Sequence, residues 1–343
     1  MKRTACVILA ICAVLFTASC SSDDRQSYNT SFVDLFDTAA TVIAYSKDAE
    51  TFASEADAFH NKLAEYNQLY DIYNDYTGVN NLKTVNENAG VAPVEVDKRI
   101  IDLLLFGKEI YGISGGKVNI AFGSVLEIWH NYRTFGINDP ENAELPPQDE
   151  LEEAAKHTDI NDVIIDEDKS TVYLSDAEMR LDVGAIAKGY AVEQVCQWAM
   201  ENGWTDAGVS IGGNVRTMGT KAGGEPWKIG IEDPDGGDYL CTLNAVDISI
   251  VTSGDYQRYY VVDGVKYHHI IDPTTLYPAK YSRSVSVVTK DSGLADGLST
   301  TLFLMSPEDG LKLVESMDGV EAFWVLEDGT QQMSSGFSAY IAE

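Results

Sequence analysis

The chain has 343 residues, of which 24 are lysine or arginine and 54 are aspartate or glutamate, giving a net charge of −30. Such an acidic surface repels the phosphates of DNA and RNA, which excludes nucleic-acid binding as the main function. An anionic substrate has to be held by metal ions or local backbone dipoles, because the overall field opposes it. The length is enough for one large domain or two closely joined ones.

The N-terminus has the features of an exported lipoprotein. Two basic residues precede an apolar run that is too short to cross a bilayer as a mature helix, and small residues then lead into Cys20. A cysteine in this place suggests a bacterial lipobox, in which the thiol is lipidated. We predict a signal peptide at 1–19, a polar tether at 20–28 and a folded domain at 29–343. The alternative is an ordinary cleaved signal with an incidental cysteine.

Apolar periodicity predicts helices and strands in mixed order. Six residues spaced three or four apart indicate a first amphipathic helix: Phe52, Ala56, Phe59, Leu63, Tyr66 and Tyr70. Further helices are predicted at 97–110 and from Ala185 to the Asn-Gly pair at 202–203. Strands are predicted at 207–211, 227–231, 247–252, 258–262 and 265–271, the last two joined by the turn Asp263-Gly264.

The stretch at 138–169 is rich in acidic residues and proline, and we interpret it as a solvated insertion. The mixture of helices with hairpin-forming strands indicates an α+β fold with mixed, largely antiparallel sheets and packed helices.

Two glycine-containing segments have the composition of ligand-binding turns. Residues 181–190 read L-D-V-G-A-I-A-K-G-Y, where a strand turns into a helix. Small residues there allow close backbone approach, first-turn amides face anions, and Lys188 adds a positive charge. The second segment, S-I-G-G-N at 210–214, ends a strand with two glycines. Taken alone, each segment also fits a plain turn.

A third segment pairs histidines with a carboxylate. T-S-G-D-Y at 252–256 is followed by a hairpin that ends in H-H-I-I-D-P-T-T at 268–275. Strand alternation sends His268 and His269 to opposite faces, which argues against a two-histidine metal clamp. A histidine beside Asp272 can orient or deprotonate a hydroxyl, although the same residues also form an ordinary turn.

The fourth segment is A-D-G-L-S-T-T at 295–301. Asp296 and Thr300 are four residues apart and therefore share one helical face. Their hard oxygen atoms suit magnesium, which often takes only one or two side-chain ligands beside phosphates and water. The alternative is that Asp296 only caps the helix.

Taken together and in this order, the segments resemble the ApbE family of FAD:protein FMN transferases, over roughly 30–343. Upstream, F-D-T at 36–38, Y-N-D-Y at 73–76 and G-G-K-V-N-I-A at 115–121 lie where that family has its early flavin-binding segments. The resemblance implies an ApbE-like α+β fold for the domain at 29–343, with Mg²⁺ as cofactor and FAD as substrate.

The resemblance also implies roles for single residues. The carbonyl of Ala185 and the side chains of Asp296 and Thr300 would hold the metal. FAD contacts would come from Phe36, Asp71, Ile72, Tyr73, Asn119, Lys188, His269 and Ile270. His269 and Asp272 are the candidates for orienting or deprotonating the acceptor hydroxyl, and the sequence does not choose between them.

The chain departs from the family pattern at two positions. Asn119 stands where many relatives have aspartate, so we expect a neutral flavin contact there. Leu276 replaces the glycine of the D-P-x-T-G-x-P turn, so we expect the loop around Pro278 to be shaped differently.

The implied activity is transfer of FMN from FAD to a threonine or serine hydroxyl through a phosphoester bond, with release of AMP. Water could replace the acceptor and give slow hydrolysis of FAD to FMN and AMP. The partners would be acceptor proteins of the redox-subunit type on the extracytoplasmic side, with the lipid anchor at Cys20 holding the chain at the membrane. A different class remains open: a non-catalytic lipoprotein that binds flavin or another solute. Such a carrier has no need of the Asp296–Thr300 pair.

Overall fold

The computed structural model describes residues 24–343. The predicted signal peptide, the lipidation of Cys20 and the tether residues 20–23 therefore lie outside the described residues. The predicted tether was too long, because its last three residues, 26–28, already form the start of the first strand. Within this range the α-helices are α1 Ala49–Tyr70, α2 Leu82–Glu87, α3 Lys98–Ile113, α4 Gly123–Asn138, α5 Gln148–Ala154, α6 Ala187–Glu201, α7 Ser292–Phe303 and α8 Pro307–Glu315.

The strands fall into one large sheet and four small ones. They are β1 Gln26–Leu35, β2 Thr38–Ser46, β3 Val94–Glu95, β4 Val163–Asp166, β5 Thr171–Leu174, β6 Ala207–Ile211, β7 Asn214–Met218, β8 Trp227–Glu232, β9 Tyr239–Ala245, β10 Ser249–Gly254, β11 Tyr259–Val262, β12 Val265–His268, β13 Ile271–Asp272, β14 Tyr277–Pro278, β15 Ser282–Thr289, β16 Glu321–Leu326 and β17 Gln331–Met333. The large sheet has the order β1-β2-β6-β7-β10-β15-β16-β17. All strand pairs in the described chain are antiparallel, which confirms the predicted α+β class.

Local sequence explains the helix boundaries. Asp48 caps α1 by accepting a hydrogen bond from the Thr51 N–H, and all six residues of the predicted stripe are buried. Asp97 caps α3 in the same way through the Arg99 N–H. Helix α6 begins two residues later than predicted, at Ala187, and ends where Gly203 takes a φ of +98°, a conformation that glycine adopts without strain.

The large sheet separates two apolar cores. Ile250 and Val251 are neighbours in β10 and belong to different cores, because successive strand residues face opposite sides of a sheet. The main core contains α1, α3, α6 and α7, and the core on the other face is covered by the β8–β9 hairpin. A third, smaller core joins α4 to the β11–β12 hairpin.

Two predictions about these segments were wrong. The strand predicted at 265–271 ends at His268 and resumes as the short strand β13, because Ile270 N–H turns back to bond His268 Nδ1. The stretch at 138–169 is not a purely solvated insertion, since it contains α5 and β4. Leu151 and Val163 in this stretch are fully buried, so it contributes to the cores despite its acidic composition. None of the helices in residues 24–343 has the length and apolar character needed to cross a membrane.

Candidate active site

Helices α6 and α7 cross at Gly189. Its backbone N–H donates to Asp296 Oδ2 across 2.7 Å. A Cβ on Gly189 would lie 2.3 Å from the carbonyl oxygen of Ser292 and 2.4 Å from Asp296 Cβ. Only glycine therefore permits this close approach, which buries Asp296 to 3% exposure.

A buried ion pair fixes the start of α7 against α6. Glu193 Oε2 accepts hydrogen bonds from the Ser292 N–H (2.8 Å) and from Arg216 Nε (3.1 Å). Both charged side chains are at most 5% exposed, so removing either would leave an uncompensated buried charge. This contact holds the two helices in register at the Gly189 crossing.

Oxygen ligands suitable for magnesium lie around this crossing. Asp296 Oδ1 is 3.7 Å from Lys188 Nζ, and the hydroxyls of Thr300 and Ser253 are hydrogen-bonded at 3.3 Å. Ala185 comes just before α6, at the opening of the same junction. Residues 24–343 contain no group of three or more His, Cys, Asp or Glu suited to a metal. The donor set of one carboxylate, one hydroxyl and one carbonyl still fits Mg²⁺, which prefers hard oxygens and keeps several water or phosphate ligands.

The two histidines have different surroundings, in line with the prediction that they face apart. His268 is 9% exposed, its Nε2 donates to the carbonyl of Ala279 at 2.8 Å, and its ring packs edge-on against Phe303. Because His268 Nδ1 also accepts the Ile270 N–H, both ring nitrogens are occupied. His268 therefore anchors the turn.

His269 keeps a free nitrogen. Its backbone N–H donates to the carbonyl of Arg258 at 3.1 Å, whereas its Nδ1 is buried without a hydrogen-bond partner. Burial lowers the pKa of His269 to about 3, assisted by the charges of Arg258 and Arg133 and, more weakly, of Lys188. The imidazole is thus neutral at physiological pH, with a nitrogen able to accept a proton or donate a hydrogen bond.

Asp272, the second catalytic candidate, is held in place by its neighbours. Its Oδ1 accepts hydrogen bonds from Lys117 Nζ (2.8 Å) and from the Thr274 N–H (2.9 Å). Lys117 also donates to Thr274 Oγ1. Lys117 lies in the segment quoted at 115–121, but nothing in the sequence assigned it a role, because it is far from this turn along the chain and has no local signal for the contact.

Leu276 occupies the turn that follows. Its φ of +61° is the left-handed conformation that glycine adopts most easily, so leucine is strained there. The side chain is 7% exposed in the third core, and its carbonyl accepts a hydrogen bond from Trp129 Nε1 at 2.9 Å. Burial of the leucine offsets the backbone strain.

The predicted flavin-contacting residues are found in two kinds of environment. Hydrogen bonds within the chain occupy Asp71 and Asn119: Asp71 accepts from Tyr73, Asn74 and Tyr76, and Asn119 donates to the carbonyl of Thr158. Burial raises the pKa of Asp71, but these hydrogen bonds outweigh it and lower the pKa overall. These hydrogen bonds of Asp71 form a turn in which Tyr73 faces the surface.

Tyr73 is 54% exposed and stacks on His130, with 5.4 Å between ring centroids. Phe36 has a φ of +53° in the turn between β1 and β2, and both Phe36 and Ile72 pack partly buried against the main core. Ile270 is buried, directly after His269. The flavin-contacting roles of these residues stay predictions.

The sequence also did not single out Arg133, Asp182 and Arg258, whose charges act on one another. Arg133 donates from Nη2 to His130 Nδ1 at 3.1 Å. Asp182 accepts the Gly184 N–H at 2.8 Å. Burial raises the pKa of Asp182, while that N–H and the charges of His130, Arg133 and Arg258 act in the opposite direction. Asp182 lies inside the motif at 181–190 and Arg258 begins the strand predicted at 258–262, whereas Arg133 lies in neither a motif nor a predicted element.

Comparison with solved structures shows the class of protein, because the chain matches solved flavin transferases. The ApbE protein of Thermotoga maritima has a TM-score of 0.82 and 32% identity, with 93% of this chain and 100% of that chain covered. The flavin transferase ApbE of Vibrio cholerae has a TM-score of 0.77 and 26% identity, with 92% and 99% covered.

The sequence comparisons agree. The FAD:protein FMN transferase of Treponema pallidum is 32% identical over 344 residues, which cover 95% of this chain and 92% of that protein. The enzyme of the same description from Klebsiella pneumoniae is 31% identical over 275 residues, covering 78% and 83%. The model of the ApbE family matches residues 36–324. The chain belongs to the ApbE family, as its motifs predicted.

Proposed function

We propose that this chain transfers the FMN half of FAD to a threonine or serine hydroxyl of another protein, in a magnesium-dependent reaction that releases AMP. The relatives it matches are FAD:protein FMN transferases. The observation that carries the proposal is the contact of Lys188 with Asp296, the carboxylate of the candidate metal site. Its ammonium is 3.7 Å from the Asp296 carboxylate, and its charge also lowers the pKa of His269.

The metal would be held by the Ala185 carbonyl, the Asp296 carboxylate and the Thr300 hydroxyl. Bound there, Mg²⁺ supplies Lewis-acid neutralisation of pyrophosphate charge. Lys188 adds a second positive charge beside the same carboxylate. These groups create a local attraction for an anionic substrate, which counteracts the repulsion expected from the net charge of −30.

The reaction exchanges the phosphoanhydride link of FAD for a phosphoester link to the acceptor. The acceptor oxygen forms a bond to the FMN-side phosphorus, the bond from that phosphorus to the bridging oxygen breaks, and AMP leaves with the bonding electron pair. The acceptor proton passes to Nδ1 of His269, the ring nitrogen without a partner. Asp272 orients the turn through Lys117, so we assign it a positioning role. Attack by water in place of the acceptor would give FMN and AMP.

The flavin would lie near Tyr73, where an exposed ring already stacks on His130 and offers an aromatic face. Phe36, Asp71, Ile72, Asn119, Lys188 and Ile270 would complete the FAD site. The N-terminal features support export and lipidation at Cys20. We therefore place the enzyme on the extracytoplasmic face of the membrane, acting on redox-subunit proteins there.

The test is incubation of the purified chain with FAD, MgCl₂ and a flavin-acceptor domain, followed by intact-mass measurement of that domain. We expect a gain equal to FMN minus water, and no gain when the magnesium is chelated by EDTA. The rival function is a flavin carrier, which would bind FAD and leave the acceptor mass unchanged. That result with a competent acceptor would replace the transferase proposal.

A further inference from the structure

Three hydroxyl groups form a continuous hydrogen-bonded series where strand β10 packs against helix α7. Ser253 of β10 is hydrogen-bonded to Ser299 at 2.8 Å and to Thr300 at 3.3 Å, both in α7. Ser299 in turn donates to the backbone carbonyl of Asp296 at 2.9 Å. The hydroxyl series Thr300–Ser253–Ser299 therefore connects one candidate metal ligand to the backbone of the other.

The number of protons determines the direction of each hydrogen bond in the hydroxyl series. A serine or threonine hydroxyl has one proton to donate and two lone pairs that accept. Because the Asp296 carbonyl can only accept, the Ser299 proton is used there, and Ser299 must accept from Ser253. The single proton of Ser253 is then used, so Thr300 is the donor in its bond to Ser253. Ser299 is fully buried, which keeps water from supplying a different donor.

This direction leaves the Thr300 oxygen ready to bind a cation. The Thr300 proton points at Ser253, and no group in residues 24–343 donates a hydrogen bond to Thr300 Oγ1. Both lone pairs of that oxygen are therefore open. A hard cation binds through such lone pairs, whereas a hydroxyl proton facing the cation would repel it.

We propose that Ser253 is a positioning residue that orients Thr300 as a magnesium ligand. The inference rests on the proposed function, since it takes Thr300 as a ligand of the metal. Without Ser253, the Thr300 hydroxyl would be free to turn to the carbonyl four residues earlier, as helical threonines do. Thr301 already makes this bond, to the carbonyl of Gly297 at 2.8 Å. The Thr300 oxygen would then lie in a different direction from the one that Ser253 selects.

The adjacent residue of β10 provides a matched control on the other face of the sheet. Thr252 and Ser286 of β15 form a hydroxyl pair at 2.7 Å. Successive strand residues face opposite sides of a sheet, so this pair lies away from α7. Both this pair and the pair of Ser253 with Ser299 are part-buried. The control therefore loses the same kind of bond from the same strand, at a place unconnected to Thr300.

The experiment measures binding of Mn²⁺, a paramagnetic substitute for Mg²⁺, through the EPR signal of the free ion. The purified chain is titrated with and without FAD, and FAD alone is the blank. We expect Ser253→Ala to bind Mn²⁺ roughly tenfold more weakly or worse, the usual cost of removing a group that orients a metal ligand. Ser253→Thr keeps the hydroxyl and should keep most of the affinity. Ser286→Ala should bind Mn²⁺ like the wild-type chain, although its thermal stability should fall as much as that of Ser253→Ala.

Ser299→Ala tests the direction of the hydrogen bonds. Without Ser299, the Ser253 proton is free to bond Thr300 and to occupy one of its lone pairs. Mn²⁺ binding should then weaken, by less than in Ser253→Ala. The same ranking of variants is expected for the magnesium concentration that gives half-maximal transfer.

Three results would overturn the proposal. One is wild-type Mn²⁺ affinity in Ser253→Ala. Another is an equal loss of affinity in Ser286→Ala, because the effect would then come from a weakened sheet. The third is wild-type affinity in Ser299→Ala, which would contradict the direction of the bonds. Failure of the wild-type chain to bind Mn²⁺ under either condition would remove the metal assignment and this inference together.

The positioning role and the transferase activity can fail separately. If the wild-type chain forms no FMN adduct on an acceptor but Ser253→Ala loses affinity for Mn²⁺, the transferase proposal fails and the positioning role stands. If transfer occurs and Ser253→Ala binds Mn²⁺ normally, the positioning role fails and the transferase proposal stands.

Discussion

The backbone N–H of Gly189 in α6 donates to Asp296 Oδ2 in α7 across 2.7 Å, at a point where no side chain fits between the helices. The other carboxylate oxygen of Asp296 faces Lys188 at 3.7 Å. The helix crossing and the candidate metal ligand are therefore one structural unit. Whatever separates the helices also displaces the carboxylate.

Gly189→Ala should damage both stability and transfer. The added methyl group would lie 2.3 Å from the backbone oxygen of Ser292, which cannot move aside as a flexible side chain can. We expect a loss of about 1–3 kcal/mol in the free energy of unfolding, as for other overpacked sites. Displacement of Asp296 should lower the transfer rate roughly 10²-fold.

Denaturant titration and the transfer assay measure these two effects. Gly112→Ala is the matched control, because Gly112 is also helical and a Cβ there meets nothing within 4 Å. The control should leave stability unchanged or raise it by up to about 1 kcal/mol. Wild-type behaviour of Gly189→Ala would contradict the close crossing.

Asp296→Asn should abolish the response of transfer to magnesium while FAD binding only weakens. Asparagine keeps an oxygen that can accept the Gly189 N–H, so the helix crossing is retained and the charge alone is removed. The measurements are transfer rate against MgCl₂ concentration and an FAD titration. Thr300→Val should weaken the magnesium response less, since a neutral ligand is lost. Full activity of Asp296→Asn at saturating magnesium would remove the metal assignment.

His269→Ala should lower the transfer rate roughly 10²–10⁴-fold at saturating FAD, the usual range for acid–base assistance. FAD affinity should fall by no more than about 1 kcal/mol, because one neutral imidazole is lost. The two quantities are measured separately, by a rate assay and by a binding titration.

His268→Ala serves as the comparison for His269→Ala. His268 bonds Ala279 and packs on Phe303, so we expect its replacement to reduce thermal stability more than the chemical step. Equal, small rate effects at both positions would argue against His269 as the base. A rate loss confined to His268→Ala would reverse the assignment of the two rings.

The pH profile of kcat/KM should have no acid limb near pH 6.5, the ordinary pKa of histidine. Burial and the nearby positive charges lower the pKa of His269 to about 3, so the free enzyme keeps the neutral base throughout the neutral and mildly acidic range. Arg258→Gln removes one of these charges, which should raise the pKa of His269 and move the acid limb to higher pH. Arg99→Gln should leave the profile unchanged.

The lowered pKa of His269 also determines how the stability of the fold changes with pH. The folded state resists protonation of His269, whereas the unfolded chain takes up a proton near 6.5, the ordinary pKa of histidine. The contribution of His269 to stability is complete above 6.5 and is lost as the pH falls from 6.5 towards 3. Urea titrations at several pH values should show a smaller dependence in His269→Ala over this range.

Cys20→Ser should release the chain from the membrane without changing its chemistry. The prediction rests on the short apolar leader and the small residues before Cys20, so loss of the thiol removes the site of lipidation. Membrane and soluble fractions are compared in the expressing cell, and transfer is assayed in both. Unaltered membrane association of the variant would show that lipidation is not the anchor.

Local chemistry in the sequence was enough to predict most elements. The apolar stripe of α1 and the Asn-Gly end of α6 depend on residues a few positions apart, and both were predicted correctly. The spacing of Asp296 and Thr300 likewise places them on one face of α7 without any distant information. The end of β12 was misplaced because a bond from Ile270 to the His268 side chain competes with the strand ladder.

Tertiary structure alone decided what each candidate group can do. Alternation separates His268 from His269, but only packing occupies both nitrogens of the first ring and leaves Nδ1 of the second without a partner. Lys117 forms an ion pair with Asp272, and the charges of Arg133, Asp182 and Arg258 act on one another. Charge and hydrogen-bond partners act through space over a few ångströms, and the chain brings such groups together from positions more than a hundred residues apart.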